Sequence, residues 1–240
     1  MLEASEILGL DRARTARLLG YLARHGWLAR VRRGFYVPVP LDARRPGEWV
    51  ADSWVVADRL FSPCYIGGWS ACQHWDLTEQ VFRALLVVTA TRVRKRDLEL
   101  QGIPFHLTVR SSEALFGTVR VWRGQTRVAV SDPSRTIVDV LDDPSLGGGI
   151  RTVADVLGEY LASQGRNDAL LVHYGDRLRS RALFKRLGFL IELLEADAPE
   201  LVAACWDRRS AGVIALDPTV KARGRTVRRW GLRDNVALRA

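Results

Sequence analysis

The chain has 240 residues, 48% of them apolar and 26% charged, which allows a sizeable buried core in one or two globular domains. Its formal net charge is +9, and its three cysteines (Cys64, Cys72, Cys205) show no C-x-x-C spacing, which argues against a disulfide scaffold or a structural zinc site. No stretch approaches the ~18 apolar residues of a membrane span, and Met1-Leu2-Glu3-Ala4-Ser5-Glu6 lacks a basic leader, so a soluble cytoplasmic protein with no membrane partner is expected.

In chain order, Ala4-Ser5-Glu6-Ile7-Leu8 reads as a short helix stopped by Gly9. Asp11 can cap a second helix that runs to about His25 and ends at Gly26. Trp27 to Val31 reads as a strand, Arg32-Arg33-Gly34 as a turn, and Phe35-Tyr36-Val37 as the return strand before Pro38 and Pro40. Helix, tight turn, helix and hairpin is the order of a winged helix-turn-helix, here over residues 1–40. A complete winged domain carries a further helix before the first one, so either the true start lies upstream or another segment must cover the exposed core face. Leu41 to Gly47 reads as a linker.

Residues 48–240 form the second expected domain. Trp49 to Leu60 is helical by spacing, and Trp69 to Trp75 is a short helix after Gly67-Gly68. Leu85 to Thr91 and Ile103 to Val109 read as strands, and Val119 to Trp122 with Arg127 to Val130 as a hairpin around Gly124-Gln125. Asp132-Pro133 opens a helix through Leu141, with proline at its favoured first position. Helices over 151–163, 168–175, 178–195 and 199–206 follow, then short strands near 213–216 and 225–230. Strands followed by helices indicate an α+β class: an N-terminal winged helix-turn-helix and a larger mixed α/β domain behind it.

The charge is unevenly placed. Residues 1–40 hold seven arginines against Glu3, Glu6 and Asp11, a net +4. Residues 221–240 hold Lys221 and six arginines against Asp234, a net +6, which leaves −1 for everything between. A GC-rich genome raises arginine over lysine throughout a chain, but it does not gather the excess at two ends. Clustered cations attract a polyphosphate backbone.

On the helix over 12–25, Ala16, Leu19, Leu22 and Ala23 share one face with Leu18 at its edge. Arg14, Arg17, Tyr21 and Arg24 lie opposite, and Arg12 and Thr15 fall in the first turn, the part of a recognition helix that contacts bases most. From Arg12 to Val37 there is no acidic residue, so the ion pairs of an ordinary solvated helix are missing. On the hairpin, Arg30 and Arg32 share a side, Arg33 sits at the tip, and Gly34 supplies a positive φ; Phe35 and Tyr36 are assigned to packing. A secondary basic surface is expected from Arg92, Arg94, Lys95 and Arg96, and from Arg225, Arg228 and Arg229. The first cluster reads rather more readily as a solvated turn, and the second reads equally as a charged edge strand.

The chain resembles the AbiEi family, the antitoxins of AbiE-type (type IV) toxin–antitoxin systems. The resemblance covers most of its length and rests on Val31-Arg32-Arg33-Gly34-Phe35-Tyr36, on Tyr65-Ile66-Gly67-Gly68-Trp69-Ser70-Ala71, on His74-Trp75-Asp76-Leu77-Thr78-Glu79-Gln80, on the strand ending in the basic cluster at Arg96, and on Val130-Ser131-Asp132-Pro133-Ser134-Arg135-Thr136-Ile137-Val138-Asp139. It implies an autorepressor that binds inverted repeats in double-stranded operator DNA and counters a nucleotidyltransferase-type toxin, with no cofactor. The DNA-binding positions it carries over are Arg12, Arg14, Arg17, Arg30, Arg32 and Arg33.

A DNA-binding nuclease and a winged protein-interaction module are the alternatives. The common nuclease core needs an acid two residues before a lysine, but Val93, Leu183 and Thr219 precede Lys95, Lys185 and Lys221. Gly147-Gly148-Gly149 lacks the Lys-Ser/Thr of a phosphate loop and reads as a flexible connection. Cys64, Cys72 and His74 match no closed metal site. No catalytic residue and no metal ligand is assigned.

Overall fold

The structure is a computed structural model and describes residues 2–41, 43 and 49–238. Most of the linker expected at 41–47 therefore lies outside the described residues. The fold is mixed α/β. It begins with helices α1 (Leu2–Leu8) and α2 (Arg12–Arg24) and an antiparallel hairpin of β1 (Leu28–Arg32) and β2 (Phe35–Pro38). Asp11 caps α2 by accepting from the Arg14 N–H at 2.8 Å, and Gly26 leaves the helix at φ 78°.

The centre is a six-stranded mixed sheet in the order β5-β6-β4-β3-β8-β7. Its strands are β3 (Cys64–Ile66), β4 (Leu85–Thr89), β5 (Asp97–Leu100), β6 (Ile103–Val109), β7 (Thr118–Arg123) and β8 (Thr126–Ser131). Two-residue alternation divides these strands between two cores. Tyr65, Leu86, Val88 and Ala129 point into one; Ile66, Leu85, Val87, Phe105, Leu107, Val128 and Val130 point into the other. The first core is filled by α5 (Pro133–Asp142), α6 (Ile150–Ala162), α7 (Asp168–Leu178), α8 (Arg181–Leu193) and α9 (Pro199–Arg208), with α4 (Gly68–His74) contributing Cys72. The second is filled by α3 (Ser53–Phe61) and by Val31, Phe35 and Val37 of the N-terminal hairpin. The hairpin thus shares a hydrophobic core with residues beyond 48.

A small sheet of β9 (Ile214–Ala215), β10 (Arg225–Val227) and β11 (Leu232–Asp234) closes the chain with β10 at its edge. It buries Trp230 and Leu232 in the first core, so this tail does not cover the apolar face of α1, where Ile7 is 77% exposed.

Several expectations need correction. The helix expected from Trp49 starts at Ser53, because the Asp52 carboxylate accepts from the Trp54 and Val55 N–H groups and sets the boundary there. The helix expected from 178 starts at Arg181, with Arg179 in the left-handed region ending α7 and Ser180 capping α8. The glycine run 147–149 is a packed turn and not a flexible connection. A Cβ on Gly147 would lie 2.6 Å from Val153, while Gly148 and Gly149 hold φ of 84° and 100° between a 3₁₀ turn and α6. Among the described residues, no helix is long and apolar enough to cross a membrane.

Candidate nucleic-acid interface

The buried stripe of α2 is centred on Thr15, Leu19 and Leu22, one helical turn apart, with Leu18 and Ala23 at its flanks. Thr15 is fully buried. Its hydroxyl donates to the Asp11 carbonyl at 2.9 Å and accepts from Ser5 Oγ at 3.2 Å, which ties α1 to α2. Thr15 therefore cannot face a groove, and its place among the DNA-contacting residues is withdrawn. The i, i+4, i+7 spacing of Thr15, Leu19 and Leu22 was the available signal. Ala16, expected in the stripe, is exposed at its edge.

Arg12, Arg14, Arg17, Tyr21 and Arg24 are all exposed. Arg14 approaches Asp11 at 3.4 Å with both side chains open to water, so the pair holds the guanidinium weakly. Tyr21 is 51% exposed and packs against His25 at a tilt of 35°, with ring centroids 4.1 Å apart. Among the described residues, Arg12, Arg17, Arg24, Arg30, Arg32 and Arg33 have no ion pair or side-chain hydrogen bond. This face is a row of unneutralised charge.

The hairpin presents its cations by alternation. Val31 is 8% exposed and turned into the second core, which sends Arg30 and Arg32 outward on either side of it. The ladder shifts between Arg30 and Arg32, and Gly34 turns the tip at φ 80° beside the exposed Arg33. Phe35, assigned to packing, packs on the second core together with Val37, whereas Tyr36, assigned with it, is half-buried and is not part of that core.

The loop between β4 and β5 carries Arg92, Arg94, Lys95 and Arg96, all exposed. Arg32 of the hairpin lines one groove of about 470 Å³ together with Arg92, Arg94 and Lys95, over a floor that includes Leu60, Phe61 and Leu98. The sequence kept these two basic clusters apart by sixty residues; the second core brings them together. Arg225 and Arg228 are exposed but are not part of that groove. Arg229 is engaged elsewhere: its Nε donates to Glu192 Oε1 at 2.8 Å and its guanidinium lies 5.1 Å from the Trp206 ring. It is removed from the free basic surface. The cysteines offer no reactive thiolate at neutral pH, since burial pushes the Cys64, Cys72 and Cys205 thiols up to about 12.

No family model matches the chain, and no curated protein matches it. Among solved structures it is similar to the RV2827C protein from Mycobacterium tuberculosis. The TM-score is 0.61 at 16% identity, over 93% of this chain and 80% of that one. At that identity the likeness is one of fold alone.

Proposed function

We propose that this chain is a winged helix-turn-helix repressor that binds double-stranded operator DNA in its own promoter and serves as the antitoxin to a nucleotidyltransferase-type toxin. It acts in the cytoplasm, without a cofactor and without catalysis. The observation that carries the DNA-binding reading is the outward arginine face of α2, on which, among the described residues, only Arg14 has an ion-pair partner, the exposed Asp11, beside a hairpin anchored in the core of the central sheet. The antitoxin role rests on the motif resemblance.

In this reading the first turns of α2 enter the major groove, where the planar forks of Arg14 and Arg17 match guanine O6 and N7. Arg30, Arg32 and Arg33 then meet the flanking phosphates or the adjacent minor groove, and the loop at 92–95 extends the phosphate contacts. Because Val31, Phe35 and Val37 are locked into the second core, helix and hairpin are presented with little freedom to lose on binding.

The test is an electrophoretic shift on the protein's own promoter with excess competitor DNA. Specific retardation is expected; an unshifted probe overturns the repressor, and Mg²⁺-dependent cleavage of the probe assigns a nuclease. Growth rescue on co-expression with a neighbouring nucleotidyltransferase is expected, and failure of rescue overturns the antitoxin role while leaving the repressor intact.

A further inference from the structure

A cavity of about 350 Å³ opens where β4 and β6 begin, between the first turn of α3 and the last turn of α4, with Arg123 at the end of β7 also lining it. Ser70, Gln73 and His74 of its lining come from the stretch 67–80 that the DNA-binding reading leaves unused. Its walls include Trp54, Gln73, His74, Phe82, Arg83 and Arg123.

Two stacked pairs fix flat walls. The Arg123 guanidinium lies 4.9 Å from the Trp54 ring centroid, and Phe82 lies against Trp69 at 5.4 Å and 15°. His74 meets Trp54 edge-on at 5.2 Å. Burial, and then the charge of Arg123, hold the His74 imidazole below its ordinary pKa against the pull of Asp76, so at neutral pH it offers a donor and an acceptor without charge.

The charged groups have one sign. Arg123 is oriented by Asp52, whose Oδ2 accepts from Nε at 2.9 Å and lies 2.9 Å from Nη2 as an ion pair, leaving Nη1 without a partner among the described residues. Arg83 is exposed and unpaired, and the Gln73 amide is half-buried with no hydrogen-bond partner among the described residues. Among the described residues, no carboxylate lines this cavity. Two other cavities of the molecule are lined by several: Glu192, Glu195, Asp197 and Asp207 in one, and Asp76, Glu79, Asp155 and Glu159 in another. Among the described residues the groove beside Arg32 is also lined by no carboxylate, but it belongs to the proposed DNA surface.

We propose that this cavity binds a small planar anion, an aromatic ring carrying a phosphate or carboxylate, with Arg83 and Arg123 holding the anionic group, Gln73 reading the ring edge, and Trp54 and Phe82 enclosing the ring. The size falls within the range of small-molecule sites, and flat walls with few convergent polar groups are their usual composition. The proposal does not depend on the DNA-binding reading.

Isothermal titration of the full chain tests it with AMP and CMP as phosphate probes, and with benzoate and anthranilate as carboxylate probes. At least one arm is expected to bind below about 1 mM, and which arm binds identifies the anionic group. Arg83→Ala with Gln73→Leu should weaken that binding about tenfold or more at an unchanged melting temperature. Should the pair unfold, Arg83→Ala alone is the reference. No binding in either arm, equal binding to the folded variant, or inorganic phosphate binding as well as AMP would each overturn the proposal.

Discussion

The arginines of the N-terminal unit and the buried arginines of the C-terminal half are used in opposite ways. On α2 and the hairpin, Arg17, Arg30, Arg32 and Arg33 stand exposed with no partner among the described residues. In the C-terminal half, Arg135 is 1% exposed; its Nε donates to Asp139 at 3.0 Å and its Nη2 to the Tyr65 hydroxyl at 3.0 Å, and Tyr65 in turn donates to Asp139 at 2.8 Å. Arg186, 4% exposed, donates to the Leu216, Leu141 and Asp142 carbonyls, each at 2.9 Å. One guanidinium fork is a clamp on backbone and carboxylate, the other a charge held ready for something outside the molecule. A count of arginines does not separate these roles; the presence of a nearby acid or a buried carbonyl does.

The largest expected effect breaks the clamp. Asp139→Asn removes the charge that compensates a buried guanidinium, and such single-partner losses cost about 3–5 kcal/mol. The Arg135 Nη1 already lacks a partner, so no spare acceptor stands by to take over. Urea unfolding should show the loss, while DNA affinity of the folded variant stays near that of the wild type. A loss under about 1 kcal/mol would show that the pair is not a structural clamp.

The opposite outcome is expected from Arg14→Ala with Arg17→Ala. Each good base contact is worth about 1–3 kcal/mol, so operator affinity should fall by several kcal/mol at most. Unfolding free energy should move by no more than about 0.5 kcal/mol, because neither side chain packs inward. Normal DNA binding by this double variant would remove α2 from the recognition role.

How much of this was legible in the sequence differs between the same two regions. The order of helices and hairpin up to Pro38 followed from Gly9, Asp11, Gly26 and Gly34, each doing a local job that requires its residue type. The α+β class followed from long strands such as β4 and β6 with an unbroken run of helices behind them. What escaped were features set by distant partners. Strands β3 and β5, of three and four residues, are too short to show a period and exist because β4 and β6 pair with them. Arg229 looked like free charge because Glu192 is thirty-seven residues away. The burial of Thr15 was hidden by its polar type, although its spacing with Leu19 and Leu22 placed it in the stripe. The shared groove of Arg32 and the 92–95 loop depends on the second core, which no local pattern announces.

A finer test sorts the basic clusters by salt. If five or six arginines of α2 and the hairpin touch phosphates, the log–log slope of affinity against salt is roughly −5, at about −0.9 per contact. Replacing Arg92, Arg94 or Lys95 singly should flatten the slope by about 0.9 each if the groove with Arg32 carries the backbone. Arg228→Ala should leave it unchanged. A flat salt response of the wild type would take away the electrostatic basis of the whole interface.

The smallest effect concerns pH and lies outside both arginine classes, at His74, which lines the same cavity as Arg123. Burial and the neighbouring guanidinium hold its pKa below the unfolded value, with only Asp76 acting against them. An unfolded imidazole takes up a proton near pH 6.5, whereas the folded one resists until a lower pH. Between those two values unfolding binds a proton, so stability rises with pH across that window and falls on acidification. Above the window the contribution is fully present. The urea midpoint of the wild type should therefore drop on going from pH 7 to below 6.5 more than that of His74→Gln, whose side chain does not titrate. Parallel midpoints would mean that Asp76 cancels Arg123 at this ring. Arg123 would then belong with the clamps, neutralised by Asp52, and not with the charges left free for a ligand.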